Sequence, residues 1–287
     1  MRRKALTILL SAVTVLSVVT GCGASKEGTT ATAGAVVENE EAAAGEGDTV
    51  VLRGIADLVP HSELIEFVTP KLAEQGIQIE LVSTAADSTT NEKLDAGEID
   101  FNFFQHDPYL QSEIEANGYD LVNAGDIHVE PITAYSDKFE SKEDIPENAV
   151  VAIPNDATNE YRALRILEQN GFIKLKDGVQ DTLSASVDDI EEYLIPLEIV
   201  ELDSAQIIPT KDDYDFFITN TNKALEAGID SAKLFSEGAD SPYANIIAVR
   251  SEDKDNPAIK ALVEALTDEE TQKFIEETYN GAVIPVK

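Results

Sequence analysis

Short apolar runs with β character recur along this chain at Val50 to Ile55, Ile77 to Val82, Ile99 to Phe104, Ala149 to Ile153, Ile199 to Leu202, Phe216 to Ile218 and Asn245 to Val249, and helix-like stretches separate most of them. Strand then helix, repeated, restricts the chain to an α/β fold and predicts mainly parallel pairing. The helical intervals carry their own signatures. Leu64, Ile65, Val68 and Leu72 form an apolar stripe after Pro60-His61-Ser62, and Asn256-Pro257 opens a stretch bearing Ile259, Leu262, Val263 and Leu266. Thr89 to Glu92 and Thr267 to Glu270 have the spacing of capping boxes. The body from Thr49 to Lys287 is long enough for two lobes or one large domain, and no internal repeat breaks it up.

The N-terminus has a different character. Arg2, Arg3 and Lys4 precede an apolar run from Ala5 to Val19, the pattern of a secretory signal and too short for a confident membrane span. The run ends in Val19-Thr20-Gly21-Cys22, which resembles a bacterial lipobox, so residues 1–21 are expected to be removed and Cys22, the sole cysteine, to carry lipid. Residues 23–48 are Ala, Gly, Thr and Glu with almost no large apolar side chain, a tether that cannot offset its own chain entropy. Removing three basic residues with the signal lowers the basic count from 21 to 18 against 55 acidic residues, a formal charge of −37. That balance excludes a sequence-independent nucleic-acid binder. No GxSxG, HExxH, GxxxxGK[ST] or GxGxxG occurs, and Ser251 to Lys254 matches Ser-x-x-Lys only in a charged loop. An enzyme and a cofactor are therefore not expected.

Residues 101–109, FNFFQHDPY, place aromatic and polar side chains at a strand-to-helix junction, where α/β proteins bind ligands. Phe101 and Phe103 read as core; Phe104, His106 and Tyr109 fall on the other face or in the loop, with Asp107 as helix cap and Pro108 in the first turn. Arg162 reads as lying in the first turn of the helix after Pro154-Asn155-Asp156, a poor place for a cation, so an anionic partner is expected: a ligand, or the neighbours Glu160 or Asp156. Asn220 closes the segment FFITNTN and Asn245 follows Ser241-Pro242-Tyr243-Ala244; either can equally be a turn residue.

FNFFQHDPYL, IPNDATNEYR, FITNTNKALEAGI, SPYANIIAVR and the terminal YNGAVIP, in consistent order from about Thr49 onward, resemble the NlpA/MetQ family of methionine-binding lipoproteins, the substrate-binding subunits of methionine-type ABC importers. The resemblance implies a two-lobed type 2 periplasmic-binding fold whose lobes close on a free amino acid. Lobe 1 is then 49–130 with 242–287, and lobe 2 is 131–241. It also implies that Arg162 holds the ligand's carboxylate, that Asn220 and Asn245 hold its polar groups, and that Phe104, His106 and Tyr109 wall its side chain. Implied partners are methionine or a related amino acid, the permease and ATPase subunits of an ABC importer, and the outer face of the cell membrane through the lipid anchor, with the protein itself a monomer.

One position departs from the family pattern. Asp87 stands where the family usually has a pocket tyrosine, so either Asp87 turns to water or the ligand is a more polar amino acid or a short peptide. Two other classes compete. A metal-binding importer subunit would draw zinc ligands from His61, His106, His128 and a carboxylate, and a secreted enzyme on the same fold would need a base beside a nucleophile.

Overall fold

The structure, a computed structural model, describes residues 49–287 apart from Ser88, Asp230, Ala239, Asp240 and Lys287. The expected signal peptide 1–21, lipidated Cys22 and tether 23–48 lie outside the described residues. Among the described residues no helix is long and apolar enough to cross a membrane.

In chain order the strands are β1 (Val50–Ala56), β2 (Ile77–Ser83), β3 (Phe101–Phe103), β4 (Leu121–Val129), β5 (Ile132–Ser136), β6 (Ala149–Pro154), β7 (Ile173–Leu175), β8 (Ile190–Tyr193), β9 (Leu197–Leu202), β10 (Phe216–Asn220), β11 (Ala232–Ser236), β12 (Ala244–Arg250) and β13 (Ile284–Pro285). The helices are α1 (Glu63–Ala73), α2 (Thr90–Asp95), α3 (Asp107–Asn117), α4 (Ala157–Gln169), α5 (Ser204–Ile207), α6 (Thr221–Glu226), α7 (Pro257–Thr267) and α8 (Glu269–Tyr279). They build a six-stranded sheet, β13-β4-β12-β3-β1-β2, and a five-stranded sheet, β11-β5-β10-β6-β9, with β7-β8 as a small separate pair. The chain passes from the first sheet to the second at Glu130-Pro131 and returns between Ser236 and Ala244.

Pairing is mixed, which corrects the expectation of a mainly parallel fold. β1 is parallel to β2 and β3, and β6 to β9 and β10; β12 runs antiparallel to β3 and β4, β13 to β4, and β5 to β10 and β11. The reversed strands are β5 and β12, which follow the two passages between sheets, and the C-terminal β13. A segment that enters a sheet from the other one, or from the end of the chain, need not follow a right-handed βαβ crossover, the connection that enforces parallel order.

Each large sheet has its own core. The predicted stripe Leu64, Ile65, Val68 and Leu72 of α1 packs with Phe101 and Phe103 of β3 and with Ile259, Leu262 and Leu266 of α7, all in one buried cluster. A second cluster joins Val151 and Ile153 of β6, Leu164 and Leu167 of α4, and Phe216 and Ile218 of β10. β3 is shorter than the run 99–104, and Asn102 between the two phenylalanines is buried as well, since amides rather than solvent cover that face. Two helix starts shift by one residue from the expected caps. His106, not Asp107, caps α3; Asp268, not Thr267, caps α8; and Thr89, at the N-cap of α2, makes no cap bond, its hydroxyl oxygen accepting from Lys93 Nζ instead. At α8 the Asp268 carboxylate is a stronger acceptor for the Thr271 N–H than the Thr267 hydroxyl would be.

Candidate functional site

A cavity of about 360 Å³ lies where the C-terminal ends of β1, β3, β6, β9 and β10 converge between the two large sheets. Its lining includes Phe104, His106, Tyr109 and Asp87 from the first sheet's loops, Asn159 and Asn220 from the second, and Asn245 and Glu130 from the two segments that join them. Sites outside the carboxyl ends of strands are where open α/β sheets take ligands, and the volume is at the low end of the roughly 300–1,000 Å³ of small-molecule pockets.

The β3–α3 junction is held in place from behind by amides. Gln105 Nε2 donates to Asn91 Oδ1 at 2.7 Å and to Asn102 Oδ1 at 2.9 Å, and Asn102 Nδ2 donates to Asn91 Oδ1 at 2.9 Å. All three residues are buried, so the network orders the turn that presents Phe104 and His106 to the cavity. Phe104, Tyr109 and His106 meet edge to face at 6.2–6.3 Å between ring centroids, and His106 meets Tyr243 at 4.9 Å. They form an aromatic wall.

His106 is also a cap, and the cap sets its chemistry. Its Nδ1 accepts the Tyr109 backbone N–H at 3.1 Å, so the ring proton resides on Nε2. Burial, with Arg162 repelling any added proton, lowers its pKa to about 3, so the ring is neutral. Nε2–H then donates to Asn159 Oδ1 at 3.2 Å. The same oxygen receives Arg162 Nη1 at 3.2 Å and Asn220 Nδ2 at 3.2 Å. Three donors, from both sheets, converge on one oxygen atom.

Arg162 lies beside the cavity rather than in its lining. It is the sixth residue of α4, in the second turn and not the first, and is 1% exposed. Its expected partners Glu160 and Asp156 are replaced by Glu237: Nε and Nη2 reach Glu237 Oε2 at 3.2 and 2.5 Å, while Nη2 also donates to the Glu130 carbonyl at 2.7 Å. Tyr243 stacks on the guanidinium at 4.5 Å. The fork that grips a carboxylate through parallel bonds is thus used internally, and Nη1 is the edge turned toward the cavity through Asn159. Arg162 also borders a neighbouring hollow of about 280 Å³ with Tyr161, Arg165 and Glu237.

Asp87 sits at the exposed rim of the main cavity, where its Oδ1 accepts the Thr89 N–H at 2.8 Å and the Thr89 hydroxyl at 2.6 Å. Those bonds, the hydroxyl first, hold its carboxyl below the usual range. Of the three histidines offered as zinc ligands, His106 stands apart, engaged by Tyr109 and Asn159, whereas His61 and His128 meet Glu130 in a buried group. Sequence reasoning missed Asn159 and Glu130. Asn159 lies within the quoted IPNDATNEYR, three residues before Arg162, but reads there as an ordinary helix-start residue.

A two-sheet α/β body with a ligand-sized cleft between the sheets is the architecture of extracytoplasmic substrate-binding proteins. This chain belongs to the NlpA lipoprotein family, whose model matches residues 54–287. It is 38% identical over 221 residues to a probable D-methionine-binding lipoprotein MetQ of Pasteurella multocida, covering 76% of this chain and 79% of that protein. Its fold matches a nutrient-binding protein from Burkholderia cenocepacia solved bound to methionine, with TM-score 0.77, 38% identity, and coverage of 82% of this chain and 100% of the other. It also matches an ABC transporter periplasmic substrate-binding protein from Coxiella burnetii, with TM-score 0.76, 35% identity, and coverage of 82% and 100%.

Proposed function

We propose that this protein captures methionine or a closely related amino acid outside the cytoplasm and delivers it to the permease of an ABC importer. Its role is binding, not catalysis. The observation that carries this reading is the convergence of Arg162 Nη1, Asn220 Nδ2 and His106 Nε2 on a single oxygen, the arrangement a ligand carboxylate requires. In this structure Asn159 Oδ1 takes that position, and a bound carboxylate would displace it. Beside it, Phe104, Tyr109 and His106 offer ring edges to a thioether, each contact contributing roughly 0.3–1.5 kcal/mol beyond burial.

Lipid on Cys22 and the tether 23–48 would hold the body at the membrane as a monomer, within reach of the permease and its ATPase. The lobes 49–130 with 242–287 and 131–241 would hinge at the two passages between sheets, and ligand binding would select the closed form. The engagement of Asp87 by Thr89 at an exposed rim supports a loop variation rather than a polar or peptide ligand, and the cavity volume suits one amino acid.

The test is mass spectrometry of the small molecule released when purified protein is denatured, followed by calorimetry of the stripped protein. The expected result is methionine, rebinding at one per chain, with Arg162→Ala losing most of the affinity. No heat with methionine, together with binding of another ligand class, would retire the reading; unchanged binding by Arg162→Ala would remove that residue from the site.

A further inference from the structure

We propose that Glu130, held by His61 and His128 at the base of the cavity, is the anionic subsite that receives the ligand's α-ammonium. The inference rests on the amino-acid reading above and adds to it the group that distinguishes a zwitterion from a plain carboxylic acid.

Several carboxylates line the cavity. Asp57 is buried but neutralised: its Oδ2 takes Lys223 Nζ at 2.7 Å and Asn222 Nδ2 at 3.3 Å, and its Oδ1 takes the Ala86 N–H. Asp156 is saturated by Asn159 and Thr158, and Asp87 and Asp203 are exposed and serve local backbone N–H groups. Glu130 differs from all of these. It is 2% exposed, yet among the described residues its side chain forms no ion pair with a lysine or arginine and its Oε2 takes no hydrogen bond; its Oε1 is 2.9 Å from His128 Nε2 and 3.4 Å from His61 Nε2. The neutral His128 ring donates to one oxygen, with the His61 ring beside it, and the other oxygen is left for the cavity.

The surrounding bonds suit a zwitterion. Arg162 touches both ends of the site, with Nη1 on the Asn159 oxygen and Nη2 on the Glu130 carbonyl, so one guanidinium spans the interval between the anion position and the Glu130 backbone. His61 Nε2 also lies 3.1 Å from Asn245 Oδ1, and with its proton there it orients the amide so that Nδ2 remains as a donor. The cations nearby are already committed, Lys223 to Asp57 and Arg162 to Glu237. A buried carboxylate without a countercharge is costly, and a ligand ammonium supplies the missing partner. A divalent metal suits this group less well. Among the described residues the Nδ1 atoms of both His61 and His128 have no hydrogen-bond partner, whereas metal-bound imidazoles take an orienting acceptor at their second nitrogen.

Burial raises the Glu130 pKa to about 7; Asp57 adds to the rise, and His61, Lys223 and Arg162 oppose it. Glu226 and Tyr279 also sense its charge, and His128 is neutral, its pKa lowered to about 3 by burial. Only the ionised carboxylate forms an ion pair with an ammonium. Affinity for an amino acid should therefore weaken as pH falls through neutrality, and affinity for its desamino analogue should not share that loss.

Wild type and Glu130→Gln are titrated by calorimetry with methionine and with its desamino analogue, γ-(methylthio)butyrate, from about pH 5.5 to about pH 8. Wild type should prefer methionine, with the preference shrinking on acidification, and Glu130→Gln should lose roughly ten- to a hundredfold for methionine while binding the analogue as before. Equal binding of methionine by Glu130→Gln and wild type, with the same pH profile, overturns the proposal and leaves the amino-acid reading standing. If the variant does not fold, the two ligands on wild type decide alone: equal affinity at every pH overturns it. Zinc bound at one per chain and lost in Glu130→Gln also overturns it. If wild type binds neither ligand, the parent reading fails and this one with it.

Discussion

Asn220→Ala separates ligand recognition from stability better than any other change at this site. Asn220 ends β10 and occupies the N-cap position of α6, where asparagine usually stabilises a helix by about 1 kcal/mol through its side-chain oxygen. Here the side chain makes no cap bond; its Nδ2 donates to Asn159 Oδ1 at 3.2 Å instead. Truncation removes one neutral, partly exposed hydrogen bond, worth about 1 kcal/mol or less to the ligand-free fold. With a carboxylate in place of the Asn159 oxygen the same N–H becomes a charge-assisted donor, worth about 1.5–3 kcal/mol, or roughly ten- to 150-fold in Kd. The low end applies, since Arg162 and His106 still reach the same point. Calorimetry with methionine should thus show a loss of about ten- to fiftyfold beside a nearly unchanged melting temperature. A Kd within twofold of wild type would refute the three-donor site, and a large fall in melting temperature would refute the separation of roles.

Asp87→Tyr should tighten methionine by about two- to tenfold, the worth of one further sulfur–aromatic contact, and leave serine unaffected in the same titration. Gly54 faces Phe101 across β1 and β3 so closely that an added Cβ would stand 2.1 Å from the ring; Gly54→Ala should cost about 1–3 kcal/mol in denaturant unfolding, and a neutral result would contradict the packing. The ligand-free protein should lose stability on acidification. His106 and His128, with pKa values lowered to about 3 by burial, refuse the protons that an unfolded ring accepts below about 6.5, so their contribution is lost as pH falls through that window. Glu130, raised to about 7, works in the opposite sense between its unfolded value and 7, and His61, also lowered by burial, adds to the loss. A melting temperature that holds or rises from neutral pH down to about 4 would show that these rings are not held neutral.

What the sequence made legible follows from whether a signal was local. The runs that became β1, β2, β6, β9, β10 and β12 carry a continuous or alternating apolar pattern within a few residues, and the α1 stripe is buried as its spacing predicts. β4 escaped notice because Asn123, Gly125 and Asp126 interrupt it and two register shifts against β12 break its period. β5 is buried along its whole length and so shows no alternation. The aromatic wall was readable at one junction. Arg162's true partner was not, because Glu237 lies 75 residues away while Asp156 and Glu160 are close in sequence. Glu130 marks only a lobe boundary in the sequence, because His61, which comes against it, lies 69 residues away.

The three donors on Asn159 would favour a charged ligand over a neutral one. Asn159 Oδ1 already satisfies three donors, and Asn159 Nδ2 is held by both oxygens of Asp156 at 3.0 Å, so any ligand oxygen must replace bonds that exist in its absence. A neutral amide oxygen would exchange like for like and gain little. A carboxylate forms bonds roughly twice as strong at the same positions. Arg162 cannot move to meet a weaker acceptor, because Glu130 from one passage between the sheets and Glu237 and Tyr243 from the other hold it. Methioninamide keeps the thioether and the ammonium and differs only at this oxygen. It should therefore bind at least a hundredfold more weakly than methionine, about 3 kcal/mol, or two charge-assisted bonds lost. Competition within threefold of methionine would mean that the three donors serve Asn159 alone and that the ligand is held elsewhere in the cleft.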